Sequence, residues 1–301
     1  MIDPASCGPV LVTGASTGIG KAITEALSQR ECEVYATARK DADLKKLRKL
    51  NHVNAVKLDV TNLQDAKRLA SRIRKEEGRL HGLVNNAGIG VLWPLAETEV
   101  EDLHSMFDVN VYGVHRVTRS MLPLVIKSRG RIVNISSVVG LCSMPFLGAY
   151  EMSKHAIEAY SDALSAELDK YHVKVSIIEP GNFRSMIVKN ASSIARSMAV
   201  THQPTIMKSE VKDILAGYGG DVKECEKRSP PNKVVNAVID ALFSETPRRR
   251  YVVVPKEEEY FLALELMMNR MIQANEGNEY GLSRKLMHTF MDEAWSKLQK
   301  S

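Results

Sequence analysis

Between residues 9 and 30 a short apolar run, a glycine-rich turn and a helical pattern follow one another without a gap. Pro9-Val-Leu-Val-Thr13 reads as a buried strand. Thr13-Gly-Ala-Ser-Thr-Gly-Ile-Gly20 follows, and Lys21 to Arg30 then carries Ala22, Ile23, Ala26 and Leu27 at helical spacing. The glycines at 14, 18 and 20 match neither G-x-G-x-x-G nor a P-loop, which would need glycine at 15 and Ser or Thr at 22; both positions are Ala. The physics is shared all the same. Small residues let the backbone approach a pyrophosphate, which rests on amide groups at the positive end of the helix. Thr13, Gly14, Ser16, Thr17, Gly18, Ile19 and Gly20 are the candidates for that contact.

The same alternation continues along the chain. Further strands are expected at Glu33–Ala38, Asn54–Val60, Leu80–Asn85, Arg131–Ser136, Val173–Glu179 and Arg250–Pro255. Between them lie helical patterns at Asp41–Leu50, at Leu63–Glu77 with Thr61 as N-cap, at Ala149–Tyr171 and at Asn232–Ser244. A long one spans Val100–Ile126, with Leu103, Phe107, Val111, Val114 and Val117 on one face and Pro123 bending or ending it. Alternating βα units predict an α/β fold: a Rossmann-type, doubly wound parallel sheet of about seven strands with helices on both faces. Its ligand belongs at the carboxyl ends of the strands. We expect one domain over 1–301, with a core at 8–256. Residues 182 to 228, irregular in pattern and holding Gly219-Gly220, are expected to form a lid. Residues 257–275 and 280–299 are expected to add two helices as a C-terminal extension over 257–301.

Composition removes several classes of function. Net charge is +5 and the only dense basic run, Arg248-Arg249-Arg250, reads as a solvated turn, so no nucleic-acid partner is expected. Cys7, Cys32, Cys142 and Cys225 form no Cys-x-x-Cys pair, which argues for free thiols and no metal knot. The amino terminus lacks the pattern of a signal peptide, and no stretch of about 18 apolar residues suggests a membrane span. A cytoplasmic protein is the expectation, in which Asn134-Ile-Ser136 and Asn190-Ala-Ser192 are not glycosylation sites. Tyr260 to Met268 is greasy but is interrupted by Glu265 and followed by Asn269 and Arg270. Packing in the core or lid is expected there, with peripheral membrane contact as the alternative.

The chemistry is placed by a few residues at strand ends. The tip of the second strand is where a dinucleotide's adenosine ribose lies. Arg39 and Lys40 stand there in place of an acid, and a guanidinium suits a 2′-phosphate, so NADP(H) is preferred and NAD(H) is the alternative. Asp59 and Val60 could flank the adenine, and Asn86-Ala-Gly88 would let the chain pass close to the cofactor. His81 is expected to be structural. Asn110, a polar residue in an apolar helix, either caps nearby backbone or holds a water. Tyr150 and Lys154 are four residues apart, roughly 40° apart around a helix axis and one turn up. A neighbouring ammonium would lower the phenol's pKa and make it a usable acid and base. Ser136 and Ser137 compete for the hydroxyl that holds the substrate oxygen, since strand neighbours face opposite ways. No other catalytic set is present: no G-x-S-x-G elbow and no H-E-x-x-H.

Taken together, Thr13-Gly-x-x-x-Gly-x-Gly20, Asn85-Asn-Ala-Gly88, Asn110, Ser137 and Tyr150-x-x-x-Lys154 resemble the short-chain dehydrogenase/reductase family over residues 9 to 185. The resemblance implies NAD(P)-dependent hydride transfer between an alcohol and a ketone. It implies Tyr150 as general acid/base, Lys154 as tuner of the phenol and binder of the nicotinamide ribose, and Asn110 as holder of a relay water. It selects Ser137, thirteen residues before Tyr150, over Ser136. Ile178-Glu-Pro-Gly-Asn-Phe183 and the long carboxyl end resemble the retinol, 17β-hydroxysteroid and type 1 3-hydroxybutyrate dehydrogenase branch. After Pro180-Gly181 the family often has a Thr for the nicotinamide amide. Here Arg184-Ser185 follows Phe183, and Ser185 is the candidate. Leu141, Met144, Phe146, Leu147, Phe183 and Met186 suggest a pocket for a bulky lipophilic carbonyl or alcohol, such as a steroid or retinoid. An NAD-linked hydroxy-acid dehydrogenase and a non-catalytic dinucleotide-sensing regulator are the alternatives. By analogy with the family, a homodimer or homotetramer is expected through the helices near 100–126 and 149–170.

Overall fold

The computed structural model describes residues 3, 8–202, 204, 206–217 and 227–298. Cys7, Cys225 and Gly219-Gly220 lie outside the described residues. Seven strands form one sheet: β1 (Val10–Val12), β2 (Val34–Ala38), β3 (Val53–Lys57), β4 (Gly82–Asn85), β5 (Arg131–Ile135), β6 (Lys174–Pro180) and β7 (Arg250–Val253). All pairings are parallel, and the order is β3-β2-β1-β4-β5-β6-β7. Between β1 and β4 the winding reverses, which opens a crevice beyond the carboxyl ends of both strands.

The helices are α1 (Gly18–Ser28), α2 (Asp41–Leu47), α3 (Leu63–Glu76), α4 (Val100–Phe107), α5 (Gly113–Lys127), α6 (Gly148–Leu168), α7 (Ile187–Thr201), α8 (Lys208–Gly217), α9 (Asn232–Phe243), α10 (Glu257–Asn275) and α11 (Arg284–Leu298). The period of two in the strands decides which layer each side chain joins. Val10, Val12, Val34, Ala36 and Val84 pack against α1, α2 and α9 on one face. Leu11, Tyr35, Leu83 and Ile132 pack against α3, α5 and α6 on the other. Both faces are dry, which is why these strands read as continuous apolar runs.

Several local expectations are corrected. Asn62, not Thr61, caps α3: its side chain accepts from Gln64 N at 2.9 Å and Asp65 N at 3.3 Å. Thr61 is instead committed to Asp59, donating from its N at 3.0 Å and its Oγ1 at 2.8 Å. Pro123 does not end its helix, which runs on to Lys127. It lies on the exposed side, where water can replace the missing amide. A π-helical turn at Asp108–Tyr112 joins α4 to α5. Its extra residue shifts the buried stripe to Met106, Asn110, Gly113, Val114 and Val117, so Leu103, Phe107 and Val111 are only partly buried.

Residues 182 to 228 are not irregular throughout. α7 and α8 occupy much of the segment and bury Ala191, Ala195, Met198, Val211 and Ile214 beside Trp93 and Met106. In the Arg248-Arg249-Arg250 run, Arg248 and Arg249 are exposed as expected of a solvated turn, but Arg250 is not. Arg250 opens β7 and ion-pairs with Glu158, Asp162 and Glu179. His81 is structural as expected, with Nε2 2.9 Å from Leu242 O and its ring stacked on Phe243. Tyr260 to Met268 is not core. Tyr260, Phe261, Leu262, Met267 and Met268 are all exposed, and only Ala263 of α10 is buried.

Candidate active site

The nucleotide turn is held by its own backbone partners. Gly14 has φ +64°, and a methyl there would stand 2.9 Å from Ala87 Cα, so both conformation and contact exclude a side chain. Thr13 Oγ1 accepts from Asn86 N at 2.9 Å and Ala87 N at 3.0 Å. Asn86 Nδ2 donates to Thr13 O at 2.9 Å and Gly14 O at 3.1 Å. The turns after β1 and β4 are thereby locked together across the crevice. Gly20 faces the same lock: a methyl there would stand 2.3 Å from Asn86 Nδ2. α1 begins beyond this lock with no side-chain cap and no acidic residue in its first turn. Ser16, Thr17, Gly18 and Ile19 line the cavity there, which leaves the positive end of the helix open to an anion.

Arg39 and Asp59 line the outer end of the same cavity. Burial acts to raise the Asp59 carboxyl, but two hydrogen bonds from Thr61 and the charge of Arg39 outweigh it and hold the group below its usual range. Lys40 is exposed, precedes α2 and does not line the cavity.

The carboxyl end of β5 and the first turns of α6 bring Ser137, Tyr150 and Lys154 together on one wall. The Ser137 hydroxyl donates to Pro180 O at 3.4 Å and accepts from Val139 N at 3.4 Å, and it acts on the Tyr150 phenol as a hydrogen-bonding neighbour that lowers its pKa. Ser136 also lines the cavity, but it is buried and leaves its hydroxyl unpartnered. Lys154 Nζ lies 5.5 Å from the centroid of the Tyr150 ring and donates to Ile135 O at 2.9 Å.

The pKa directions differ from the sequence expectation. Burial pushes the Tyr150 phenol up to about 12, against the hydrogen bond from Ser137, rather than down. Burial also draws Lys154 down to about 8, against the charge of Glu158. Both charged forms are poorly solvated here, and the amine is turned toward a carbonyl. Asn110 is 1% exposed and its side chain is fully committed. Oδ1 accepts from Ile89 N at 2.9 Å, and Nδ2 donates to Ile89 O at 2.8 Å and Ser153 Oγ at 2.9 Å. The side chain ties the segment after β4, at Ile89, to Ser153 on α6.

The cavity encloses about 1010 Å³ and runs without interruption from Arg39 to the wall that bears Tyr150. Val60, Gly88, Met144, Phe146, Leu147, Pro180, Gly181, Phe183, Ser185 and Met186 line it, together with Asn86 and Ala87. Thr13, Gly20, Asn110 and Leu141 do not. Phe146 sits in the left-handed region at φ +69°, with its carbonyl taking Trp93 N at 2.7 Å. Sequence reasoning missed Ile187, Ala191 and Ile214, contributed by α7 and α8, and Glu259, Leu262 and Ala263 from α10. A signal existed for α7: Ala191, Ala195 and Met198 recur at helical spacing, disguised by small residues. None existed for α10, whose position depends on Glu259 accepting from Asn182 N at 2.8 Å across the cavity rim.

A parallel sheet with this winding, a glycine turn feeding an open helix end and a Ser-Tyr-Lys wall define a dinucleotide-linked oxidoreductase. The chain belongs to the short chain dehydrogenase family, whose model matches residues 9–195. A relative from Ornithobacterium rhinotracheale, an NADPH-dependent 3-dehydrocapnine reductase, is 33% identical over 87% of this chain and 93% of its own. Human retinol dehydrogenase 16 is 34% identical over 80% of this chain and 79% of its own. A crystal structure of a short-chain dehydrogenase from Streptomyces avermitilis superposes with a TM-score of 0.70 at 26% identity, over 98% of both chains. The relatives place the chain in the retinol, 17β-hydroxysteroid and hydroxybutyrate dehydrogenase branch, and it is an oxidoreductase acting on CH–OH groups. The nicotinamide dinucleotide that the family implies fits the residues present: an uncapped helix end, two turns pressed together at Gly14 and Ala87, and Arg39 beside Asp59.

Proposed function

We propose that the protein is an NADP(H)-dependent oxidoreductase that interconverts a lipophilic ketone and its secondary alcohol, with a steroid, retinoid or comparable carbonyl as substrate. The observation that carries this reading is the convergence of Ser137, Tyr150 and Lys154 on a cavity whose lining also includes Val91, Met144, Phe146, Leu147, Phe183 and Ile187. The dinucleotide, when bound, supplies the hydride or takes it. Ser137 holds the substrate oxygen by donating its hydroxyl hydrogen. Tyr150 gives its proton to that oxygen in reduction and takes it back in oxidation. A phenol raised to about 12 stays protonated at neutral pH, which suits the reductive direction. Lys154, held by Ile135 O, is the cation that steadies the phenolate left behind. Asn110 keeps Ile89 and α6 in register around these groups.

NADP(H) is favoured because Arg39 stands at the tip of β2, exposed and lining the cavity, where a 2′-phosphate would meet its guanidinium. The names of the relatives above, one NADPH-dependent and one acting on retinol, agree with that preference and with a lipophilic substrate. α10, which lines the cavity, and α11 both leave large apolar side chains exposed, so the proposal includes peripheral contact with a lipid surface.

The test is oxidation of NADPH and NADH followed by absorbance against a panel of lipophilic ketones. NADPH is expected to be preferred. Tyr150→Phe is expected to lower kcat by about 10²–10⁴-fold with NADPH affinity retained. A phenylalanine variant with full turnover refutes the mechanism.

A further inference from the structure

Behind the catalytic wall, two carboxyl groups are clamped on one nitrogen. Arg250 Nη1 donates to Glu158 Oε2 on α6 and to Glu179 Oε1 on β6. Glu179 is 0% exposed and Glu158 8% exposed. Arg250 Nη2 reaches the half-exposed Asp162 only at 3.4 Å, and Asp162 is shared with Arg249. The second oxygen of each buried carboxyl, Glu158 Oε1 and Glu179 Oε2, has no hydrogen-bond partner. A methyl placed on Gly140 would stand 2.9 Å from Glu158 Oε1 and 2.8 Å from the unpartnered Ser136 Oγ, so these two atoms border the same small space.

The charges that face this cluster are few. α6 brings Lys154, Glu158 and Asp162, β6 brings Glu179, β7 brings Arg250, and Arg249 stands just before β7. The turn at Val138–Gly140 brings none, and Glu259 of α10 is committed to Asn182 N. Two buried carboxyls held against one guanidinium cannot both ionise cheaply, so the pair keeps one proton between them. Glu179 is the more enclosed of the two. Burial, and next the charge of Glu158, push its carboxyl up to about 8 against the pull of Arg250. Of the two, Glu158 is the one on the helix that bears Lys154. It follows Lys154 by four residues on α6, the spacing that puts two side chains on one helix face.

We propose that Glu158, held by Arg250 beside the buried Glu179 and four residues after Lys154 on α6, is a positioning residue for this reaction: it sets the charge of the buried Lys154 amine beside Tyr150. This rests on the oxidoreductase reading only for its consequence in turnover. The arrangement itself is a property of the ligand-free chain. A lysine buried in an apolar wall tends to lose its proton, and Lys154 already sits at about 8 for that reason. Without the neighbouring anion a larger share of it would be neutral at physiological pH, and less would be left to steady a phenolate.

The experiment follows the Lys154 Cε resonance through a pH titration of lysine-labelled, ligand-free protein, with the signal assigned by its loss in Lys154→Arg. Glu158→Gln keeps an oxygen for Arg250 but removes the charge. It is expected to lower the Lys154 midpoint by about one pH unit, the size of a charge pair one helical turn apart in a partly screened interior. Glu179→Gln replaces a protonated carboxyl by an amide and is expected to move that midpoint by less than about 0.3 units. In wild type, the raised Glu179 group gives stability that is present below its unfolded range and is lost as pH rises through about 8. Glu179→Gln therefore melts above wild type at pH 9, by less at pH 6, and level with it only below about pH 4, under the group's unfolded range. Where turnover is measured, Glu158→Gln lowers kcat about fivefold at pH 8, the fraction of amine lost by a one-unit fall.

An unmoved Lys154 midpoint in Glu158→Gln overturns the proposal. So does an equal shift in Glu179→Gln, or a Glu179→Gln melting curve parallel to wild type at all pH, and these two hold even if Glu158→Gln fails to fold. Absence of turnover in wild type refutes the oxidoreductase reading instead, and leaves the titration to decide the role of Glu158.

Discussion

The cofactor half of the molecule and its carboxyl-terminal hairpin are both rich in large apolar side chains, and they treat them in opposite ways. In the sheet, Leu11, Leu83 and Ile132 are fully buried, because each strand face meets a helix layer. In α10 and α11, Phe261 is 56% exposed and Trp295 69%, and Ala263 is the one residue of α10 that is buried. The hairpin is instead held by polar ties. Glu259 accepts from Asn182 N, Arg270 donates to Ser143 Oγ at 2.6 Å and reaches His155 Nε2 at 2.9 Å, and Asn275 brackets Leu282. All but the last of these ties lie near the cavity rim. Hydrophobic composition alone therefore does not make a core. What counts is whether the fold brings a second apolar face to meet the first.

This contrast is open to attack in order of size. Leu83→Ala, in the middle of the sheet, is expected to cost about 2–5 kcal/mol in urea unfolding, the transfer loss plus the cavity left behind. A cost below about 1 kcal/mol would mean that the sheet is not the packed half. Arg39→Ala tests the exposed end of the cofactor cavity. Loss of a charge-assisted contact is expected to weaken NADPH by roughly tenfold to a hundredfold, about 1.5–3 kcal/mol, and to leave NADH almost unchanged. Equal weakening of both cofactors would remove Arg39 from the 2′-phosphate.

The smallest effect on stability is expected in the hairpin. Replacing Phe261, Met268, Phe290 and Trp295 together by Ser is expected to change unfolding free energy by less than about 1 kcal/mol, since exposed side chains have little burial to lose. The same variant is expected to lose flotation with phospholipid vesicles while wild type floats. A variant that floats as well as wild type would show that this surface does not meet lipid.

Much of the site was legible because its parts are local. Gly14, Gly18 and Gly20 announce a turn within one stretch, and Tyr150 and Lys154 share one helix, so spacing alone puts them on one face. The alternation of apolar runs with helical patterns likewise reveals the sheet, because each βα unit is contiguous. Asn62 displaced Thr61 as the cap of α3 by one position, and the π-helical turn rotated the stripe of α4 and α5, both within the reach of ordinary local variation.

Other features could not be read this way. Arg250 looked like a solvated arginine in a basic run, yet its partners Glu158, Asp162 and Glu179 come from two other elements up to 92 residues away. The direction of the Tyr150 shift was misjudged because proximity to Lys154 is written in the sequence, whereas the desolvation of both groups is not.

By itself, then, the sequence determined the order of the seven strands and the helices between them, the glycine turn after β1 and the spacing that sets Tyr150 and Lys154 on one helix face. These are set by backbone propensities and by spacings of a few residues, which act before the chain has folded. The tertiary structure alone decided which side chains meet water, which buried acid faces which buried base, and how α7, α8 and α10 wall the cavity. Solvation and long-range charge depend on atoms that are distant along the chain and become neighbours only when the sheet is assembled.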